Sequence, residues 1–499
     1  MSAPTTIRTV HSLKVGAVAQ TLRLCAGYGV SILTAPYVVF RLGMYDYGIW
    51  AVTGALAQSA VMFDLGVSRA NDRYVALFHV RGDLANERAA VGVCLTVLLI
   101  LTGVLYAFSL LLPRALDGLL QTGDVELTRV LLLSAVTMLV CGMFARTLAG
   151  GSFGRGRQVW ANIGLAVLGV AQALGGVVAL VAEPSLTRFA IGTAIGAGVG
   201  LCAVVATIII DERRIVVGWP RAALAREMLS YGLVGQVRGI ADIIMIQAPK
   251  LIAGAFIGPA AAGIYDLGAR LVQGTVTFGS AASEAMFVHL TRTYAAGGPA
   301  DIITQYPRLA RRNAAVTILL PFLLSATAVS VVPLWLGERH DGVVVVVMVL
   351  ALAVTVRLST NVCIASYLAM GRPGILGLTA MVSAVVTVAL AIPSTHVFGF
   401  GGIVGAFACS IVIGNLISGW FLQARLGISF AHAVQAVGGP FVVGCVAALV
   451  AFPIGVIWSP EDRVSAVIPF GIAGVLFCTV YCLLGRFFDY LPSFRGGWQ

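Results

Sequence analysis

Within "GQVRGIADIIMIQAPK", residues 235–250, the ionisable side chains of Arg238, Asp242 and Lys250 stand inside a long apolar stretch. Seven more interrupt apolar runs elsewhere: Arg23, Asp64, Arg146, Asp266, Arg270, Glu284 and Arg357. A charge at the centre of a lipid-embedded helix costs at least ~2.5–3.5 kcal/mol on insertion scales, so it turns to a protein interior, to water or to a partner. Six of these ten residues are Lys or Arg and four are Asp or Glu. Guanidinium groups offer a planar fork that matches phosphate, and a cationic cavity in a low-dielectric wall concentrates anions. A cation exporter driven by protons or metal ions would need carboxylates to dominate, so the balance points to an anionic substrate. Arg23, Arg238, Arg270, Arg146 and Arg357 are the candidate substrate-binding residues. Asp242, Asp64 and Glu284 are the candidates for ion coupling.

Local pairing competes with each of these roles. Arg238 with Asp242, and Asp266 with Arg270, are four residues apart and can satisfy one another on a helix. Asp64 and Glu284 fall near the cytoplasmic ends of their runs, where a neighbour such as Arg69 competes for them. Arg23 has no acidic partner on its own helix, which leaves a cavity role or snorkelling to the headgroups. Lys250 follows Pro249, which loosens the local backbone hydrogen bonding; no role follows for it from the sequence.

The elements that must hold these residues are membrane helices. The chain has 499 residues, 59% hydrophobic and only 11% charged, with a mean hydropathy of +0.96. That is too little charge to surface the several soluble domains such a length would form. About fourteen runs, from 15–40 to 464–485, approach the roughly 20 apolar residues a span needs. The longest connections, 69–88, 211–228 and 288–313, are basic or mixed and read as short amphipathic surface helices. With an even number of spans both termini share a side. Twenty Lys and Arg fall in the connections on that side, six on the other and six inside spans. Such asymmetry places both termini in the cytoplasm. It also accounts for much of the net charge of +11 without a nucleic-acid partner. The first apolar run is too long for a cleavable signal, and no small-residue cleavage site follows it.

An internal repeat organises the runs. "RLGMYDYGIWAV" (41–52) and "FIGPAAAGIYDL" (256–267) align at a shift of 215, pairing Gly43 with Gly258 and Gly48 with Gly263. The same shift pairs Gly156 and Arg157 with Gly371 and Arg372, and Arg23 with Arg238. Six spans separate equivalent helices, so the halves point the same way across the membrane. The expected architecture is an all-α polytopic membrane protein. A six-helix lobe at 1–228 is followed by a second at 229–425, with two further helices and a tail at 426–499. Arg23 and Arg238 lie eight to ten residues into the first helix of each lobe, roughly 12–15 Å from its cytoplasmic end at 1.5 Å per residue.

Motifs for catalysis are nearly absent. "GGSFG" (150–154) matches GxSxG, but it joins two membrane helices with no strand before it. No P-loop or HExxH occurs. The nine cysteines fall almost wholly in apolar runs without CxxC spacing, as packing residues would. No cofactor, metal site or enzymatic activity is expected. Gly spacings at 196–200 and 235–239 suggest close helix packing.

"RLGMYDYGIWAVTGALAQSAVMFDLGVSRANDRYVA" (41–76) resembles the segment joining the first two helices of Wzx-type oligosaccharide flippases. "FDLG" at 63–66 and "GIYDLGARL" at 263–271 carry that style into both halves. The family belongs to the multidrug/oligosaccharidyl-lipid/polysaccharide (MOP) exporter superfamily. The resemblance implies two six-helix lobes around a cavity and a polyprenyl-diphosphate-linked glycan moved to the outer leaflet by alternating access. It further implies a groove for the lipid tail at the two last helices, and a diphosphate held by cavity arginines, for which Arg23 and Arg238 match by position. The expected setting is the bacterial cytoplasmic membrane. A proton or sodium gradient, or the membrane potential, would drive the step, and glycan polymerase machinery is a candidate partner. Two other readings stand beside it: an ion-coupled multidrug exporter of the same fold, and a membrane-embedded glycan polymerase or ligase. The latter would need a large outer loop, and the outer loops are short.

Overall fold

The computed structural model describes residues 4–64, 66–213, 217–371, 374–488 and 490. Helices account for nearly all of them. Glu338 and Asp462 form an isolated bridge, and no strand occurs among the described residues. Internal contacts divide the chain into two units, Met1–Gly263 and Ile264–Gln499.

The first unit contains α1 (Pro4–Ser59), a 3-10 turn (Ala60–Phe63), α2 (Val67–Val80), α3 (Leu84–Leu111) and α4 (Pro113–Leu120). It continues with α5 (Val125–Gly154), α6 (Gln158–Ala182), α7 (Leu186–Glu212) and α8 (Ala222–Phe256). α6 runs along both α7 and α1, and α5 packs on α2, α3 and α7. In α6 and α7 glycines bring the backbones together: a Cβ on Gly175 would lie 2.3 Å from the Gly192 carbonyl oxygen, and one on Gly196 2.1 Å from that of Ala171. The glycine spacing at 196–200 thus does what small residues do in membrane bundles. Of the spacing at 235–239 only Gly239 is described, and a Cβ there would meet nothing nearer than 3.6 Å.

The second unit takes in most of α9 (Pro259–Thr317), then α10 (Leu319–Ala326), α11 (Ala328–Leu336), α12 (Asp341–Ser359) and α13 (Asn361–Ala369). α14 (Gly374–Arg425), α15 (Phe430–Trp458) and α16 (Arg463–Phe487) complete it. Two of the expected spans are broken. The run at 314–336 ends α9 at Thr317, because Pro321 has no N–H to give the carbonyl four residues earlier. The run at 343–369 breaks at Thr360, whose hydroxyl donates to the Arg357 carbonyl at 2.8 Å in competition with the helix. α15 and α16 pack on each other and against α10 and α11. Phe322, Val443, Phe477 and Tyr481 form their shared core.

Eleven stretches among the described residues are long and apolar enough to span a membrane. Two of these, Val18–Phe63 and Leu376–Arg425, each hold two expected spans, parted at Gly43 (φ 79°) and Gly399 (φ 58°). Large apolar side chains such as Phe40, Leu449 and Val464 are 73–80% exposed, as lipid-facing residues are. Of the three expected surface helices, 69–88 holds α2, and 288–313 lies wholly within α9, with a break at Gly298. The segment 211–228 is different. It combines the end of α7, a non-helical 217–221 and the start of α8, and the Gly218 N–H bonds the Arg88 carbonyl at 3.0 Å.

Positive-φ residues recur at close to the spacing of the expected repeat. Gly43 and Gly258, and Gly156 and Gly371, all take positive φ, and each pair marks the same helix junction at a separation of 215. Gly82 and Gly298, Gly123 and Gly337, and Arg213 and Gly427 follow at 216, 214 and 214. Gly48 and Gly263 serve differently, letting two backbones meet. The Gly48 Cα lies 3.1 Å from where a Gly263 Cβ would stand, and a Cβ on Gly48 would lie 1.8 Å from the Pro259 carbonyl oxygen.

Where α3 begins and α5 and α7 end, a buried ion cluster ties them. Arg155 is 2.7 Å from Glu87 and also bonds Glu212, while His79 approaches Glu87 at 3.3 Å and the Ser152 hydroxyl donates to Glu212 at 2.6 Å. Burial pulls the Arg155 guanidinium down, and the two carboxylates outweigh it, holding it above its ordinary value. Arg155→Met would leave two almost inaccessible carboxylates without their cation. The expected loss is about 3–5 kcal/mol, read as a fall in melting temperature of the detergent-solubilised protein; an unchanged melting temperature would show that the cluster does not hold these helices. Gly48→Val should cost about 1–3 kcal/mol through overpacking in the same assay, whereas Gly239→Ala, whose Cβ would make only ordinary contacts with Gln236 and Arg69 at 3.6 Å or more, should be nearly neutral.

Candidate functional site

The "FDLG" motif forms the turn from α1 into α2. Gly66 sits at φ +70°, and a Cβ there would lie 2.2 Å from the Gly232 carbonyl oxygen of α8. Both the backbone conformation and the close approach therefore require glycine. The Asp64 carboxylate accepts from the Gly66 N–H at 2.8 Å and from the Ser68 hydroxyl at 3.3 Å. From α8, the Gln236 amide donates to the Val61 and Met62 carbonyls, both at 3.2 Å. One buried carboxylate and one buried amide thus fix the turn against α8. Below it, the apolar face of α2 (Val67, Ala70, Tyr74, Phe78) packs on α3 and on Leu224 and Met228 of α8. Tyr74 donates to Glu227 at 3.0 Å, and Arg73 lies over the Tyr231 ring at 4.1 Å.

A cleft of about 340 Å³ opens where this turn, α5 and α8 meet. Its charged and polar lining comprises Asp64, Ser68, Arg69, Arg146, Gln236 and Asp242, with Gly239 at one wall. Each charge has a counter-charge at hand. Arg146 is 2.9 Å from Asp72 of α2, and its guanidinium lies 5.0 Å from the Phe153 ring centroid. Arg238 is 3.8 Å from Asp242, both half exposed. Arg69 acts electrostatically on Asp64. Two guanidinium groups and a hydroxyl in one open cleft can take an anion with several oxygens, provided the carboxylates yield.

The sequence-derived candidates divide accordingly. Arg146, Asp64 and Asp242 line the cleft, and Arg238 adjoins it through Asp242. Arg23 donates to Asn162 of α6 at 3.0 Å, and the Arg146 charge reaches it. Asp64 spends its carboxylate on the turn, the local role that competed with ion coupling. Arg270 binds Asp266 at 2.8 Å within α9, and Arg357 is exposed on α12, both in the second unit. The side chain of Glu284 lies outside the described residues. Sequence reasoning named Arg69 only as a partner for Asp64 and missed Ser68, Asp72 and Gln236. Asp72 follows Arg69 by three, which puts both on one side of a helix, and that was the available signal.

Comparison with known proteins bears on both fold and family. Residues 157–345 match the family described as polysaccharide biosynthesis protein. No curated protein matches the chain at a significant level. An inward-facing multidrug resistance MATE transporter of the MOP superfamily is similar in structure, with a TM-score of 0.66 at 13% identity over 82% of this chain and 98% of that one. The lipid II flippase MurJ, in an inward closed conformation, gives 0.56 at 12% identity over 97% of this chain and 100% of its own. The Vibrio cholerae MATE transporter VcmN in its bent form gives 0.55 at 13%, over 87% and 99%. At such identities the likeness is one of fold. The apolar helices and the likeness of fold make this a multi-pass membrane protein with a fold like those of the MATE and MurJ structures, and residues 157–345 resemble the polysaccharide biosynthesis family.

Proposed function

We propose that the protein is a flippase carrying a polyprenyl-diphosphate-linked oligosaccharide from the cytoplasmic to the outer leaflet of the bacterial cytoplasmic membrane, for assembly of a cell-surface polysaccharide. The observation that carries this reading is the match of 157–345 to the polysaccharide biosynthesis family. The cleft's chemistry agrees with it: guanidinium groups bind diphosphate oxygens through charge-assisted hydrogen bonds. Arg146 and Arg69 hold the diphosphate, with Arg238 and Arg23 drawing it in; Arg270 and Arg357 are the basic candidates of the second unit. The lobes at 1–228 and 229–425 rock to alternate access. Asp242 is the leading ion-coupling candidate, with Asp64 and Glu284 behind it. The arginine distribution sets both termini in the cytoplasm.

A multidrug exporter of the same fold is the second reading, favoured by the TM-score of 0.66 to a MATE transporter. Deleting the gene separates the two. The flippase reading expects lipid-linked oligosaccharide to accumulate on the inner leaflet with drug sensitivity unchanged. Normal outward delivery of every lipid-linked glycan would sink it, and hypersensitivity to cationic drugs with normal glycans would favour the exporter. In proteoliposomes, Arg146→Ala or Arg69→Ala should slow flipping about 10- to 100-fold, the worth of one hydrogen bond to a charged group. Full activity of both variants would remove the cleft from the pathway.

A further inference from the structure

Arg146 cannot give its whole fork to an incoming diphosphate while Asp72 holds it. The Arg146 Nη2 and Asp72 Oδ2 atoms are 2.9 Å apart, on α5 and α2. The other oxygen, Asp72 Oδ1, is buried and has no hydrogen-bond partner among the described residues. It lies over Gly150, where a Cβ would stand 2.2 Å from it. Next to it, the Asn71 amide donates to the Thr147 carbonyl at 2.8 Å and fixes α2 on α5. The titratable and charged groups nearest this carboxyl are Arg146 from α5, Cys94 from α3, which also feels Asp64 of the turn, and Arg69 one helical turn earlier on α2. Burial pushes the Asp72 carboxyl up from its ordinary value, and Arg146 pulls the other way. Its proton affinity therefore hangs on whether Arg146 stays.

We propose that Asp72 is an exchange carboxylate: a diphosphate entering the cleft takes Arg146 from it, and Asp72 takes up a proton from water as it is released. The hydrogen bond from Arg146 to Asp72 breaks, one from Arg146 to a phosphate oxygen forms, and the proton goes to the carboxylate. No electrons move. Asp72 thereby makes diphosphate binding pH-dependent and sets a threshold that a weaker anion cannot cross. This rests on the reading of the cleft as a diphosphate site, and the experiment separates the two.

Farnesyl diphosphate, a polyprenyl diphosphate without glycan, is titrated into the full-length protein in detergent, by calorimetry in buffers of different ionisation enthalpy. The wild type should take up about one proton per bound ligand below neutral pH. Asp72→Asn should bind about two- to fivefold tighter, as loss of a competing half-exposed ion pair implies, with no proton uptake. Asp72→Glu should restore the uptake, which a packing role would not require. Unchanged uptake in Asp72→Asn, or weaker binding by that variant at an unchanged melting temperature, would overturn the exchange alone. Failure of the wild type and every variant to bind farnesyl diphosphate would overturn the diphosphate reading, and the exchange with it.

Discussion

A guanidinium or carboxylate held in a helical bundle of low dielectric must find a counter-charge, an aligned dipole or water, because isolation there costs several kcal/mol. Four arginines of the first unit answer to that constraint. Arg155 sits between Glu87 and Glu212, Arg146 takes Asp72, Arg238 takes Asp242, and Arg23 takes the Asn162 amide. The four solutions differ in one respect that bears on function. The Arg155 cluster is almost closed to solvent, with Glu87 1% and Glu212 4% exposed, whereas the pairs at the cleft keep between a third and a half of their side-chain surface. Breaking the first would strand charge; breaking the others exposes it to water or to an incoming anion. Burial therefore sorts structural charge from exchangeable charge.

The cleft exists because a turn is pinned twice. Asp64 and Gly66 hold the chain's reversal into α2, and Gln236 and Gly232 let α8 come against it. α8 is the first helix of the second repeat by sequence, yet it packs on α1 and α2. The charges it brings, Asp242 and Arg238, thus meet those of α2 and α5. A glycine and a carboxylate that look like family signature residues are, physically, the hinge pin of the site.

Much of this was legible in the sequence, and the illegible part has a common cause. Glycine pairs at a shift of 215 could be read because a positive-φ junction demands the same residue wherever it recurs. Arg238–Asp242 and Arg270–Asp266 could be read because helical spacing alone brings them together. Arg23–Asn162 could not, since its partner lies 139 residues away and an amide in an apolar run carries no charge to draw notice. Asp72–Arg146, 74 residues apart, was hidden because 69–88 reads as a surface helix, and its spacing does not tell which other helix its polar side meets. Breaks at Thr317 and Thr360 were missed for the opposite reason. Apolar run length reports burial in lipid and is blind to a proline or a hydroxyl that interrupts the backbone ladder.

Charge balance takes on another meaning once the pairs are known. Six basic against four acidic residues inside spans suggested a cationic cavity, but that count omitted Asp72 and Arg69. At the cleft the arginines Arg69, Arg146 and Arg238 face Asp64, Asp72 and Asp242, so the local sum is near neutral. Net positive potential then cannot be what selects an anion there. Selection has to come from geometry and replacement: a ligand must offer oxygens spaced to serve more than one guanidinium, and bind them well enough to displace carboxylates already in place. A diphosphate, with two adjacent tetrahedral groups, meets that demand better than a single carboxylate does.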